Sequence, residues 1–449
     1  MELKNKKITV IGMGRSGIAA ANFLAARGAR TTLIDGQKRD ALAEALGLLH
    51  SAVRTHFETS TPEPDAELII LSPGVDSGSS FLRTARDKGV PVWSEIELAS
   101  RFAVPPLIAV TGTNGKSTCT ALIGHILKRA GKIAPAGGNI GIPFISLVGE
   151  VSADYLVLEI SSFQLETIHE FHPRIAVVLN ITPDHLDRHK TLDRYAALKG
   201  RIAENQTEED FLILNHDDPH TRILAKGGRA KKIFFSIRTE LPEGAFLRKN
   251  MLILRLDDAE KEICSLDQLR QVMRWQVENI LAAAAAAALA GVEGDAIASA
   301  VKEFSGMEHR LEWVRSYRGI DFINDSKGTN VGAVQKSLGA FHQPVILIAG
   351  GKDKATDFEP LKEVFKKKVK HLILMGETKS SIRRILNGSF SYEEVGGMKE
   401  AVHQAVSKAD RGDVVLLSPA CASFDMFRDY ADRGNQFKTL VNELGDEEN

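Results

Sequence analysis

Residues 111–118 read Thr-Gly-Thr-Asn-Gly-Lys-Ser-Thr, a run whose types and order suit the gripping of a triphosphate. Gly112 and Gly115 let the main chain curl, so that the N–H groups around Thr113 and Asn114 point inward at phosphate oxygens. Lys116 reaches the terminal phosphates. Ser117 and Thr118 open a helix whose N-terminus favours anions, and the Ser117 hydroxyl is available to Mg²⁺. The usual phosphate-loop spacing asks for a glycine where this chain has Val110, so the loop is a shortened form. An apolar strand before it and a helix after it supply the context that nucleotide binding needs.

Two further stretches end apolar runs where a parallel sheet would present ligands. "YLVLE" closes on Glu159, and "AVVLN" closes on Asn180 with His185 shortly beyond. A carboxylate and an imidazole near a triphosphate are candidate ligands for Mg²⁺. A second glycine turn, "GMGRSG", lies near the start and includes Gly14, Arg15 and Ser16. Asp35 closes the next strand, about where a ribose-binding acid belongs. Ser72, Pro73 and Gly74 stand at a neighbouring strand end and suit a diphosphate. Any dinucleotide, mononucleotide or nucleotide-sugar diphosphate would use this turn, and read alone it says NAD-dependent dehydrogenase. Hydride transfer has no use for a second phosphate loop. A transferase or ligase acting on a nucleotide-activated substrate uses both.

The elements that must position these residues alternate between strand and helix, which predicts parallel, doubly wound sheets. At 449 residues the chain divides into two to four domains. The rhythm marks an α/β protein of three domains. They are a Rossmann-like N-terminal domain at 1–94, a central phosphate-loop ATPase domain at 95–306 and a Rossmann-like C-terminal domain at 307–449. "RFAVPP", 101–106, is the expected linker between the first two, since Pro105 and Pro106 suit neither a helix nor a central strand.

Composition narrows the partners. With 57 Lys and Arg against 58 Asp and Glu, the net charge of −1 sets up no field for nucleic acid. The basic run at 362–370 reads as the wet face of a helix. The three cysteines, Cys119, Cys264 and Cys421, have no metal-ligand spacing and read as free thiols in a reducing compartment. "LAAAAAAALA", 281–290, is about half the roughly 20 residues of a membrane span and reads as a tightly packed helix. The expectation is a cytoplasmic protein, acting as a monomer on small molecules, with no leader peptide.

With these residues assembled, the chain resembles the Mur ligase family of bacterial cell-wall synthesis along essentially its whole length. The likeness rests on "GMGRSG", "LSPGV", "TGTNGKST", "GGNIG", "LEISSFQL", "LNITPDHLDRH", "YAALKGRI", "NDSKGTN" and "LSPACASFD", in that order. In that family the short loop is the normal form. The resemblance implies ADP-forming amide synthesis, with ATP phosphorylating a carboxylate of UDP-N-acetylmuramoyl-L-alanine and D-glutamate attacking the acyl phosphate. It implies two Mg²⁺ ions, held by Ser117, Glu159, His185 and a Lys199 carbamylated by CO₂. It implies Asn139 near the reacting centre, and Asn279, Arg310 and Asp325 as ATP contacts. Lys327, Thr329, Lys354, Ser423 and Phe424 would hold the amino acid. Sister ligases for L-alanine or diaminopimelate, and folylpolyglutamate synthase, fit the motifs less well.

Overall fold

The computed structural model describes residues 2–149, 152–353, 356–386 and 390–445. Its strands form three sheets, of five, nine and six strands. Lys354 lies outside the described residues.

The first sheet uses β1 (Lys7–Ile11), β2 (Arg30–Ile34), β3 (Arg54–His56), β4 (Leu68–Leu71) and β5 (Val92–Ser94), all parallel, in the order β3-β2-β1-β4-β5. The strand order reverses between β1 and β4, which is where such a sheet opens a crevice for a ligand. The glycine turn follows β1 and Ser72 follows β4, so both flank that crevice.

The central sheet uses β6 (Leu107–Thr111), β7 (Ala136–Gly138), β8 (Leu156–Glu159), β9 (Ile175–Val178), β10 (Phe211–Asn215), β11 (Lys231–Ser236), β12 (Gly244–Arg248), β13 (Met251–Leu256) and β14 (Ala259–Ser265). Its order is β14-β13-β12-β11-β10-β9-β6-β8-β7, which seats β6 between β8 and β9. β6, β8 and β9 are buried throughout, as apolar runs covered on both faces must be. The strand-and-helix rhythm does not reveal β11–β14, and β12–β14 pair antiparallel rather than parallel. The reason is physical. β14 carries Glu260, Lys261 and Glu262 on an exposed edge, so its pattern resembles a loop.

These two sheets belong to one compact unit, 1–181, 185–269 and 276–304. A continuous core that includes Val10, Leu33, Ile70, Ile96, Leu158 and Val178 runs through both. The helix Glu95–Ser100 contributes two buried carboxylates to their junction. Glu97 accepts from the backbone N–H groups of His169 and Phe171 at 2.8 and 3.0 Å. Glu95 accepts from Ile145 N at 2.6 Å, and burial pushes its carboxyl up to about 7. A carboxyl raised in the folded state binds more protons there than in the unfolded chain. Stability therefore falls as pH rises from the ordinary 4.5 toward 7. Glu95→Gln keeps the acceptor and removes the charge. The variant should exceed the parent at pH 8 by on the order of 1–3 kcal/mol and lose that margin near pH 5, read from denaturant midpoints. A margin that does not change with pH would contradict this.

The second unit, 182–184, 270–275 and 305–445, holds the third sheet. It uses β15 (Glu312–Tyr317), β16 (Ile320–Asn324), β17 (Val345–Ala349), β18 (Val369–Leu374), β19 (Tyr392–Glu394) and β20 (Val414–Leu417), in the order β15-β16-β20-β17-β18-β19. Among the described residues of this sheet, β15 and β16 pair antiparallel and the other neighbours pair parallel. Cores on both faces of the sheet make it a doubly covered layer.

The alanine run lies in the helix Val277–Leu289, buried from Asn279 to Ala287 and packed against the helix Lys116–Arg129. All three cysteines are buried and free. Among the described residues no helix is long and apolar enough to cross a membrane.

Candidate active site

The phosphate loop leaves β6 at Thr111, whose hydroxyl donates to the Ile160 carbonyl at 2.8 Å. Gly115 has φ +87°, and a Cβ there would lie 2.3 Å from Asn279 Oδ1, so the position requires glycine. This contact brings Asn279, from a helix far along the chain, to the mouth of the loop. Asn180, just past β9, holds the loop's shape. Its carbonyl accepts from Thr113 N at 2.9 Å, its Oδ1 accepts from Asn114 N at 2.8 Å, and its Nδ2 donates to Asn114 O at 3.0 Å. In the sequence Asn180 only closes an apolar run. The available signal was an amide at the end of a strand adjacent to the loop's own.

Two ammonium groups converge on one carbonyl. Lys116 Nζ donates to Gly112 O at 2.9 Å and to Thr113 O at 2.8 Å. Lys199 Nζ donates to Gly112 O at 2.8 Å and lies 4.5 Å from the centroid of the Tyr195 ring. Lys199 is 1% exposed, where a lone helix lysine would ordinarily reach solvent. The Ser117 side chain is buried beside them, at the first turn of the helix Lys116–Arg129, and Thr118 follows it inward. Two cations and a helix N-terminus make a place for a polyanion.

Glu159 ends β8 and is buried. Its Oε1 accepts from Asn139 Nδ2 at 2.6 Å, while its Oε2 is buried without a hydrogen-bond partner. Asn279 Oδ1 is in the same condition. A carboxylate oxygen with no partner, close to a phosphate loop, has the chemistry to take a hard cation. The two histidines of "HLDRH" separate. His185 is exposed with φ +52°, edge-on to Phe163 at 4.9 Å. His189 is buried against the Ser162 hydroxyl at 3.0 Å, and burial lowers its pKa. Among the described residues no three His, Cys, Asp or Glu side chains converge as a metal cluster.

The glycine turn of the first sheet packs on the Ser72 loop, since a Cβ at Gly12 would meet Ser72 Cβ at 2.7 Å. Asp35 accepts from Met13 N at 2.7 Å and from Gln37 N at 2.9 Å, so its carboxylate braces the turn. Gly14 and Arg15 are exposed, Ser16 is half-buried, and Pro73 and Gly74 follow Ser72 out of β4. Arg15 donates to the Gly141 carbonyl at 3.2 Å. The turn that carries Gly141 also carries Asn139, the partner of Glu159. The second glycine turn is thus linked to the phosphate site.

In the second unit Asp325 is buried, accepting from Ser337 Oγ at 2.7 Å, Ser418 Oγ at 2.8 Å and Leu311 N at 3.3 Å. Burial pushes its carboxyl up to about 6, against the pull of Arg310. Lys327 Nζ lies 3.6 Å from the centroid of the Tyr430 ring, and Thr329 N donates to the Lys327 carbonyl at 2.8 Å. Ser423 is buried and Phe424 is 68% exposed, so the pair turns one side chain in and one out.

Fold and loops together define an α/β enzyme of the phosphate-loop class, with a second glycine turn wired to its anion site. The chain matches the N-terminal domain of MurD-like Mur ligases over 6–94, the Mur ligase middle domain over 110–287 and the Mur ligase glutamate ligase domain over 309–421. It is 42% identical to a UDP-N-acetylmuramoylalanine–D-glutamate ligase of Thermoanaerobacter pseudethanolicus, covering 99% of this chain and 100% of that protein. It is 44% identical to the ligase of the same name from Geotalea uraniireducens, covering 99% of each. Among solved structures, the MurF ligase of Thermotoga maritima in complex with ADP superposes with a TM-score of 0.62 at 16% identity, covering 100% of this chain and 97% of that one. At that identity the likeness concerns the fold. The chain belongs to the Mur ligase family.

Proposed function

We propose that the chain joins D-glutamate to UDP-N-acetylmuramoyl-L-alanine in peptidoglycan precursor synthesis, converting ATP to ADP and phosphate. The observation that carries this reading is the turn at 138–142. It ties Arg15 of one glycine turn to Glu159 beside the other, as an enzyme handling a nucleotide-linked acid and ATP together requires. The full-length relatives bearing that name support the choice of amino acid.

The division of labour follows the chain. Residues 1–94 hold the UDP moiety through Gly14, Arg15, Ser16, Asp35 and Ser72–Gly74. Residues 95–306 hold ATP through Gly112–Thr118 and Asn279, with Asn139 near the reacting carboxylate. Residues 307–449 add Arg310 and Asp325 to the nucleotide and hold D-glutamate with Lys327, Thr329, Lys354, Ser423 and Phe424.

The terminal phosphoryl passes to the substrate carboxylate, ADP leaves, and the D-glutamate amine attacks the acyl phosphate to form the amide and release phosphate. Two anions must meet in the first step, so Lys116 offsets charge on the transferring group while the curled loop holds the β- and γ-phosphates in line. Glu159, His185 and Ser117 fit Mg²⁺, and when bound the metal would neutralise charge developing on the phosphate oxygens. Lys199, buried against the Gly112 carbonyl, fits carbamylation because a carbamate would replace a buried cation with an oxygen ligand of opposite sign.

Release of ADP in the presence of the UDP-linked acid should require D-glutamate. Equal release with L-alanine or diaminopimelate in its place would overturn the choice of amino acid.

A further inference from the structure

Among the described residues, Arg433 is the largest side chain with essentially no exposure. It lies in the helix Tyr430–Asn442, outside every motif given a role above. Its guanidinium spends its donors on main chain and one hydroxyl. Nε donates to Ser326 Oγ at 2.9 Å and Nη2 donates to Ser326 O at 2.8 Å. Nη2 also donates to Cys421 O at 3.2 Å and Nη1 to Ala422 O at 3.3 Å. Burial lowers its pKa to about 10, which leaves it charged at neutral pH. The two segments it bridges are those that carry Asp325, Lys327 and Thr329 on one side and Ser423 and Phe424 on the other.

The next residue serves a third segment. A Cβ on Gly434 would lie 2.2 Å from His309 Nδ1 and 3.0 Å from Asn324 Nδ2. Its bare Cα therefore admits the buried His309 ring, which in turn fixes the strained stretch 309–311 around Arg310 (φ +62° at His309, +48° at Leu311).

We propose that Arg433 and Gly434 form a positioning centre, Arg433 setting the two amino-acid loops in register and Gly434 setting the Arg310 segment for the nucleotide. Neither touches substrate. The inference rests on the reading of 326–329 and 421–424 as amino-acid loops, so the test carries a control for that reading.

Arg433→Lys keeps the charge but replaces a planar fork with a single nitrogen that cannot span both loops. It should raise KM for D-glutamate by about tenfold, with KM for ATP within a factor of two. Gly434→Ala should do the reverse. Ser423→Ala is the control. If it leaves KM for D-glutamate unchanged, the loop reading fails. If Ser423→Ala raises that KM while folded Arg433→Lys does not, the positioning centre fails. Variants that lose only melting temperature, with both KM values of the folded enzyme unchanged, reduce the pair to ordinary core and overturn the proposal.

Discussion

Lys116→Ala is expected to lower kcat for amide formation by about 10³-fold or more, with the fold intact. The side chain is half-buried, and its Nζ donates to carbonyls of its own loop, Gly112 and Thr113. Its removal leaves the strands and helix that build the loop untouched. The triphosphate would still find the curled main chain and the helix N-terminus, so nucleotide binding should weaken less than turnover. Circular dichroism and nucleotide titration, set beside kcat, separate these outcomes. Turnover within tenfold of the parent would place the phosphoryl-activating cation elsewhere.

Lys199→Ala carries the second large effect, about 10²–10³-fold in kcat. Lys199 is buried against the same carbonyl as Lys116 and beneath the reach of Thr113 through Tyr195. Two explanations of its importance lead to different results. As a plain cation, it should be restored in part by Lys199→Arg and not by added anions. As a carbamate, it should be restored in part by small carboxylates such as acetate, which can supply the missing oxygen donor in the vacated space. Activity of Lys199→Ala equal to the parent would eliminate both.

Local pattern carried much of this account. The apolar strand ahead of Thr111, the two glycines and the Lys-Ser pair are contiguous, so the phosphate loop was readable in one stretch. The same holds for the turn after β1 and for Ser72–Gly74 after β4. The bonds that shape the loop were not readable, because each joins distant segments. Asn180 reaches Asn114 across the β6–β9 pairing, and Asn279 meets Gly115 through helix packing. The amide closing "AVVLN" hints at the first contact, while neither spacing nor residue type announces the second.

Charge misleads in the same way. Arg433 sits in "YADRGNQF", a stretch that looks like any wet helix, yet among the described residues it is the largest side chain with essentially no exposure. Glu95 and Glu97 alternate with apolar residues in "SEIELAS" and are nearly fully buried, while Lys199 passes for a surface residue of "YAALKG". Burial of a charge depends on main-chain donors and acceptors brought together by the fold. The missed edge β12–β14 has the converse cause: its outer strand opens on four exposed residues, Ala259–Glu262, before Ile263 and Cys264 turn inward.

The central claim is that the curled loop ahead of Lys116 holds ATP so that its outermost phosphoryl activates a bound carboxylate. The most direct measurement uses the UDP-linked acid labelled with ¹⁸O in its terminal carboxylate, together with ATP and D-glutamate. Transfer of one labelled oxygen into the released phosphate, with one ADP formed per amide bond, is the predicted result. Amide formed with no label in the phosphate, or with no ADP, would contradict it.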